Sequence, residues 1–164
     1  MNGHEISATE PDWGREAPQR FWDPSRRLLR AIRGCQGARN RVSLKWWHLC
    51  HRFWSVITQT DISPQTRIGG GLLLPHPNGV VIHPNATIGP NCLIFQQVTI
   101  GVTLSVGAPQ IGGHVDIGAG ARILGPVRIG NHVQIGANSV VTCDVPDGTI
   151  ARGIPARIYP GETS

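Results

Sequence analysis

The 164 residues carry 15 Lys or Arg against 10 Asp or Glu, a formal charge of +5, and 40% of them are hydrophobic. That length fits one domain plus an appendage, and no run approaches the roughly 18 apolar residues of a membrane span. The charge is uneven: residues 17–60 hold nine basic residues against the single acid Asp23, and all five tryptophans precede residue 55, so the two parts of the chain have different jobs.

Residues 1–20, rich in Glu, Pro, Gly and Asp, read as a poorly ordered leader, with neither the basic start nor the apolar stretch of a signal peptide. Residues 21–58 form a basic, Trp-rich segment that the spacing predicts to be helical from about Asn40 to Thr58. Trp46, Leu49, Cys50, Phe53, Trp54 and Ile57 recur at three- and four-residue steps, and Arg41, Lys45, His48 and Arg52 take another face. Such a helix suits packing on the rest of the protein or on a second subunit. Residues 41–57 also suit peripheral contact with an anionic membrane, while nothing beyond charge and aromatics supports nucleic acid. Cys35, Cys50, Cys92 and Cys143 form no close pairing motif, which points to a reducing cytoplasm without disulfides.

From residue 59 to 159 one aliphatic residue recurs every six positions: Ile62, Ile68, Leu74; Ile82, Ile88, Ile94, Ile100; Ile111, Ile117, Ile123, Ile129, Ile135, Val141. On an α-helix six residues turn about 600°, so these side chains would share no face. A single strand of that length is excluded by its glycines. The period fits a coil with flat faces, three hexads making a triangular turn of about 18 residues, which is a left-handed parallel β-helix. Gly or Asn before the small fifth residue of a hexad suits corners of positive φ. Residues 160–164 remain as a tail.

Function is expected where the period fails. The step from Leu74 to Ile82 is eight residues and contains Pro75-His76-Pro77-Asn78-Gly79, and the step from Ile100 to Ile111 is eleven and forces out a loop; the two loops could frame a cleft. Held between prolines, His76 is a candidate general base toward an acceptor hydroxyl. Asp61, fifteen residues back and close to one turn, is a candidate orienting acid on the adjacent rung about 4.8 Å away. The bland alternative is a loop histidine and an aspartate capping the first coil. His114 and His132, eighteen apart, are expected to stack at a corner. Zinc needs a third protein ligand, and none is in phase, so no metal is expected.

These residues carry a specific resemblance to the serine acetyltransferase family of hexapeptide-repeat acyltransferases over roughly residues 58–159. The matching stretches include Asp61-Ile-Ser-Pro, Ile68-Gly-Gly-Gly-Leu-Leu-Leu-Pro-His76, Gln97-Val-Thr-Ile-Gly101, Ile117-Gly-Ala-Gly-Ala-Arg-Ile-Leu-Gly125 and Gly153-Ile-Pro-Ala-Arg-Ile158. The resemblance implies a homotrimer with sites between subunits that uses acetyl-CoA to acetylate the hydroxyl of serine or a serine-like small acceptor. In it His76 is the base, Asp61 its orienting acid, and backbone amides near Gly101 steady the oxyanion. Ala119, Gly120, Ala137 and Asn138 match the groove for the pantetheine arm, and Arg152 and Arg157 could meet the nucleotide phosphates.

Departures from the family bear on the acceptor. The acid that precedes the catalytic histidine is Pro75 here, and the Arg-His pair of the second loop aligns with Gly107-Ala108 in a shorter loop. Both charged handles for an amino acid are missing, which favours a sugar hydroxyl of a polysaccharide precursor as the alternative acceptor, reached at the inner membrane face. The N-terminal region is short beside the family's long helical domain, and so is the C-terminal tail, so a trimer without hexamer assembly or feedback by cysteine is expected. A zinc-dependent enzyme of the γ-carbonic anhydrase type and a non-catalytic β-helix scaffold are the competing classes.

Overall fold

The computed structural model describes residues 6–104 and 106–161, so the first five residues of the leader and the last three of the tail lie outside it. The hexads form three parallel sheets around a prism. Face 1 stacks Asp61–Ile62, Val81–Ile82, Thr99–Gly101, Arg122–Leu124 and Val140–Val141. Face 2 stacks Arg67–Ile68, Thr87–Ile88, Gln110–Ile111 and Arg128–Ile129. Face 3 stacks Leu93–Ile94, Asp116–Ile117, Gln134–Ile135 and Thr149–Arg152, and there Arg157–Pro160 adds an antiparallel strand that ends the coil.

The register explains the period. Ile62, Ile82, Ile100, Ile123 and Val141 stack one above another on face 1, and Ile68, Ile88, Ile111 and Ile129 do so on face 2. All nine are buried, each contributing about 1.5–3 kcal/mol of burial. Small residues turn the corners inward: Ala86, Cys92, Ala121 and Ser139 are all buried. Where the next coil passes close, only glycine fits. A Cβ on Gly89 would lie 2.5 Å from the carbonyl carbon and oxygen of Gly112.

Ahead of the coil lie two helices, α1 (Pro24–Gln36) and α2 (Arg41–Thr58). The Asn40 side chain accepts from the Ser43 N–H at the start of α2, and Gln59 ends it in the left-handed conformation. The spacing of apolar residues thus locates α2 at its observed bounds. The face it turns inward is different. Thr58 is buried and Ser43, Trp47, Cys50, His51, Trp54 and Ser55 are half-buried, so of the predicted apolar row only Cys50 and Trp54 turn inward, whereas Trp46, Leu49 and Phe53 are 61%, 62% and 52% exposed. A polar His51 in the inward row hides that face from a hydrophobicity reading. It sits there because its Nε2 donates to the Ile62 carbonyl at 2.9 Å.

α1, which the sequence reading did not separate, buries Leu28, Leu29, Ala31 and Ile32, and its leucines and Ile32 join the core of the first coil. Its polar residues satisfy that coil's outer carbonyls. Arg33 donates to Ile68 and Gly69, and Gln36 to Pro64 and Thr66. From Ser7 to Glu16 the leader, expected to be poorly ordered, lies against the coil and α1. Asn91 donates to the Ser7 and Glu10 carbonyls and accepts from Asp12 N–H, and buried Glu16 accepts from Arg33 and Leu72 N–H. These contacts run mainly through backbone groups, so composition does not reveal them.

Candidate active site

One edge of the prism, where face 3 turns into face 1, collects most of the candidate residues. Its corners are joined rung to rung: Gln97 N–H donates to Asn78, Gly120 N–H to Gln96 and Asn138 N–H to Ala119, at 2.8–2.9 Å. Gly153 N–H continues the column by donating to Ser139 Oγ at 3.1 Å. Ala119, Gly120, Ala137 and Asn138 therefore lie stacked above the 75–79 loop. Four steps of about 4.8 Å make this edge roughly 19 Å long. It stays shallow because side chains there are small, and a Cβ on Gly120 (φ 71°) would collide with Asn138 Oδ1.

Arg152 and Arg157 stand at the upper end of the edge, opposite each other across the C-terminal hairpin. The Arg152 guanidinium lies 4.4 Å from the centre of the Tyr159 ring, which fixes its orientation.

His76 stands at the lower end, exposed, in a cavity of about 500 Å³ between its own loop, the start of α1 and the end of α2. The other walls are not evident from sequence: Gln19, Arg20, Trp22, Asp23 and Arg26 before and in α1, with Ile57 and Thr58 ending α2. Only the position of Asp23-Pro24, a helix cap followed by an N1 proline, could have signalled that a helix starts here. Asp23 is buried and fully engaged, accepting from the N–H groups of Gln19 and Arg26 and from Arg26 Nη1 at 3.1 Å. Burial pushes its carboxyl up, but these bonds and the Arg26 charge outweigh burial and hold it below the ordinary carboxylate value.

Asp61 opens face 1 on the first rung. The coil partners Asp61 with Val81, five residues beyond His76, because the eight-residue step lengthens the first turn from 18 to 20 residues. Among the described residues no hydrogen bond joins Asp61 to His76, and Asp61 does not line the His76 cavity. It faces the α2 side, where its charge opposes the burial that lowers the pKa of His51.

Gly101 ends its face 1 strand at the opposite edge, where the loop between Ile100 and Ile111 leaves. The two loops therefore emerge from different edges, and within one chain they do not frame one cleft. In the second loop Leu104 and Val106 are fully exposed. His114 and His132 stack as expected, with Nδ1 atoms 2.8 Å apart and φ of 51° and 56°. Among the described residues no group of three or more His, Cys, Asp or Glu is placed to hold a metal ion.

Comparison with known proteins places this architecture in a class. Residues 108–143 match the family model for the bacterial transferase hexapeptide, six repeats, and the chain has the left-handed β-helix of hexapeptide-repeat transferases. Within that class its homologues are serine acetyltransferases. A rice (Oryza sativa subsp. japonica) protein described as a probable serine acetyltransferase 1 is 54% identical over 105 residues, 62% of this chain and 35% of the relative. The serine acetyltransferase of Escherichia coli K12 is 46% identical over 107 residues, 63% of this chain and 39% of the relative. A solved serine acetyltransferase in complex with CoA superposes with a TM-score of 0.74 at 33% identity, covering 85% of this chain and 58% of that one. The chain thus spans about 35–40% of the length of those two sequence relatives.

Proposed function

We propose that this protein is an acetyl-CoA-dependent O-acetyltransferase acting on the hydroxyl of serine or a serine-like small acceptor. The observation that carries the reading is the placement of His76 in a cavity at the foot of a roughly 19 Å edge of small residues that ends at two arginines. An extended thioester substrate fits that edge, with phosphates at Arg152 and Arg157, the pantetheine arm along Ala137-Asn138 and Ala119-Gly120, and the acetyl group toward His76. The names of its homologues support both the donor and the serine acceptor.

In this reading His76 takes the acceptor's proton as its oxygen attacks the thioester carbonyl. The tetrahedral oxyanion is met by backbone amides near Gly101, and collapse expels the CoA thiolate, which receives the proton from the imidazolium. Asp61 orients the imidazole, a contact that forms when acceptor and donor are bound, since catalytic hydrogen bonds often tighten only in the reacting complex. Gly101 and the exposed apolar loop lie on the edge away from His76. A homotrimer, in which that edge of one subunit meets the His76 edge of the next, completes the site.

A sugar hydroxyl is the second reading, favoured by one observation: Pro75 and Gly107-Ala108 stand where charged amino-acid handles are expected, and Trp22 lines the His76 cavity. For location, we place the protein in the cytoplasm, with α2 resting on an anionic lipid surface. Among the described residues no helix is long and apolar enough to cross a membrane.

The test is thiol release from acetyl-CoA by the purified protein with serine and with a panel of sugars. His76→Ala is expected to lower turnover by about 10²–10⁴-fold while leaving acetyl-CoA binding intact. Unchanged release in that variant would defeat the assignment.

A further inference from the structure

The walls of the His76 cavity are unequal in charge. Three ionisable side chains besides His76 line it: Arg20, Asp23 and Arg26. Asp23 and Arg26 neutralise each other at 3.1 Å, and Arg26 Nε is further committed to the Arg15 carbonyl at 2.9 Å. Every acceptor site of the Asp23 carboxylate that faces the protein is taken by Gln19, Ser25 and Arg26. Arg20 is different. Among the described residues it makes no hydrogen bond and no ion pair, and it is held at the cavity by a segment anchored on both sides, through Gln19 N–H to Asp23 and through Glu16 to Arg33. The cavity thus holds one uncommitted cation and no uncommitted carboxylate.

We propose that Arg20 is the specificity residue that binds an anionic group on the acceptor, holding it so that the acceptor's hydroxyl lies at His76. A planar guanidinium with free donors matches a carboxylate or a phosphate in a two-pronged fashion. The shared chemistry is a hydroxyl-bearing acceptor with one anionic group, and two sources supply it, the carboxylate of serine or the phosphate of a sugar phosphate. Neither Pro75 nor Gly107-Ala108 can offer that charge, so the grip comes from the segment ahead of α1. At about 500 Å³ the cavity is within the ordinary size range of small-molecule sites.

This inference rests on the acetyltransferase reading, and the experiment separates the two. Steady-state thiol release is measured for wild type, Arg20→Ala and Arg20→Lys with L-serine against serinamide, and with a hexose 1-phosphate against the free hexose. Arg20→Ala is expected to raise KM for the acceptor that carries the anionic group roughly ten- to hundredfold, with kcat, the KM for acetyl-CoA and the KM for the partner lacking that group little changed. Arg20→Lys recovers part of the loss. Whichever pair shows the effect identifies the source of the anion. An unchanged KM, or an equal rise for the acceptors lacking the anionic group, overturns the proposal. Calorimetry of the same acceptors with His76→Ala reads binding without turnover. Binding that Arg20→Ala abolishes supports the Arg20 role even if the wild type releases no thiol, an outcome that sinks only the acetyltransferase reading. Absent or Arg20-independent binding sinks the Arg20 role alone.

Discussion

At the scale of single residues, the corners of the coil dictate chemistry as well as shape. Cys92 occupies a small-residue corner, fully buried, with Sγ 3.3 Å from the Gly112 carbonyl and 3.4 Å from that of Gly89. Burial pushes its thiol up to about 11, so at neutral pH it stays protonated and unreactive. Cys143 is exposed. A thiol reagent at pH 7.5 is therefore expected to modify Cys143 first and to reach Cys92 only on unfolding, and mass spectrometry of the labelled peptides reads the order; early labelling of Cys92 would contradict the packing of that corner. The corners were legible beforehand because glycine, asparagine and histidine recur where φ is positive. The relation of Asp61 to His76 was less so. The eight-residue step that carries His76 makes the first turn 20 residues long and pairs Asp61 with Val81, and spacing alone does not fix whether the two side chains touch.

Helices and coils meet through a few side chains, and His51 is the one whose charge matters. Its imidazole is drawn into the joint by the Ile62 carbonyl, and burial, only partly offset by that bond and by Asp61, lowers its pKa below the ordinary value of 6.5. A group whose folded pKa is depressed binds protons more readily when unfolded. Its contribution to stability is complete above about pH 6.5 and is lost as the pH falls below it. Urea unfolding at pH 8, 6 and 5 should show a midpoint that declines with acidity, and the decline should be shallower in His51→Gln, which keeps a donor for Ile62 but cannot titrate. Equal slopes would mean that His51 carries no proton-linked stability. The element that sequence missed, α1, has its apolar residues in two adjacent pairs, Leu28-Leu29 and Ala31-Ile32, among arginines. That short stripe is masked by charge, and its purpose is clear only from the coil end that it covers.

For the molecule as a whole, the unanswered surface is α2. Val42, Trp46, Leu49, Phe53 and Val56 are 79%, 61%, 62%, 52% and 77% exposed and lie along one side at alternating four- and three-residue steps. Arg41, Lys45, His48 and Arg52 accompany them, and α1 and α2 together contain no acid. Two such helices laid against each other would bring Lys45 and Arg52 of one against those of the other, a like-charge arrangement. An anionic bilayer meets both the charge and the apolar stripe. Co-sedimentation with vesicles containing phosphatidylserine is expected at low salt and not with pure phosphatidylcholine, and Trp46→Glu with Phe53→Glu should abolish it. Retention of binding in that double variant, or none by the wild type, would remove the membrane from the account. Light scattering of the same samples reports whether the protein is trimeric.

A coil of stacked parallel strands would, left open, offer a template at each end for the next copy of itself, as in a fibre. Among the described residues both ends carry a cover. α1 and α2 occupy the carbonyls of the first coil with guanidinium, amide and imidazole donors. At the far end the Arg157–Pro160 strand runs backward against Thr149–Arg152, reversing the direction that an added parallel rung on that face would need and closing on a proline with no N–H to give. The stoppers that hold Arg20 near His76 and set Arg157 opposite Arg152 therefore also keep further rungs from stacking on the coil.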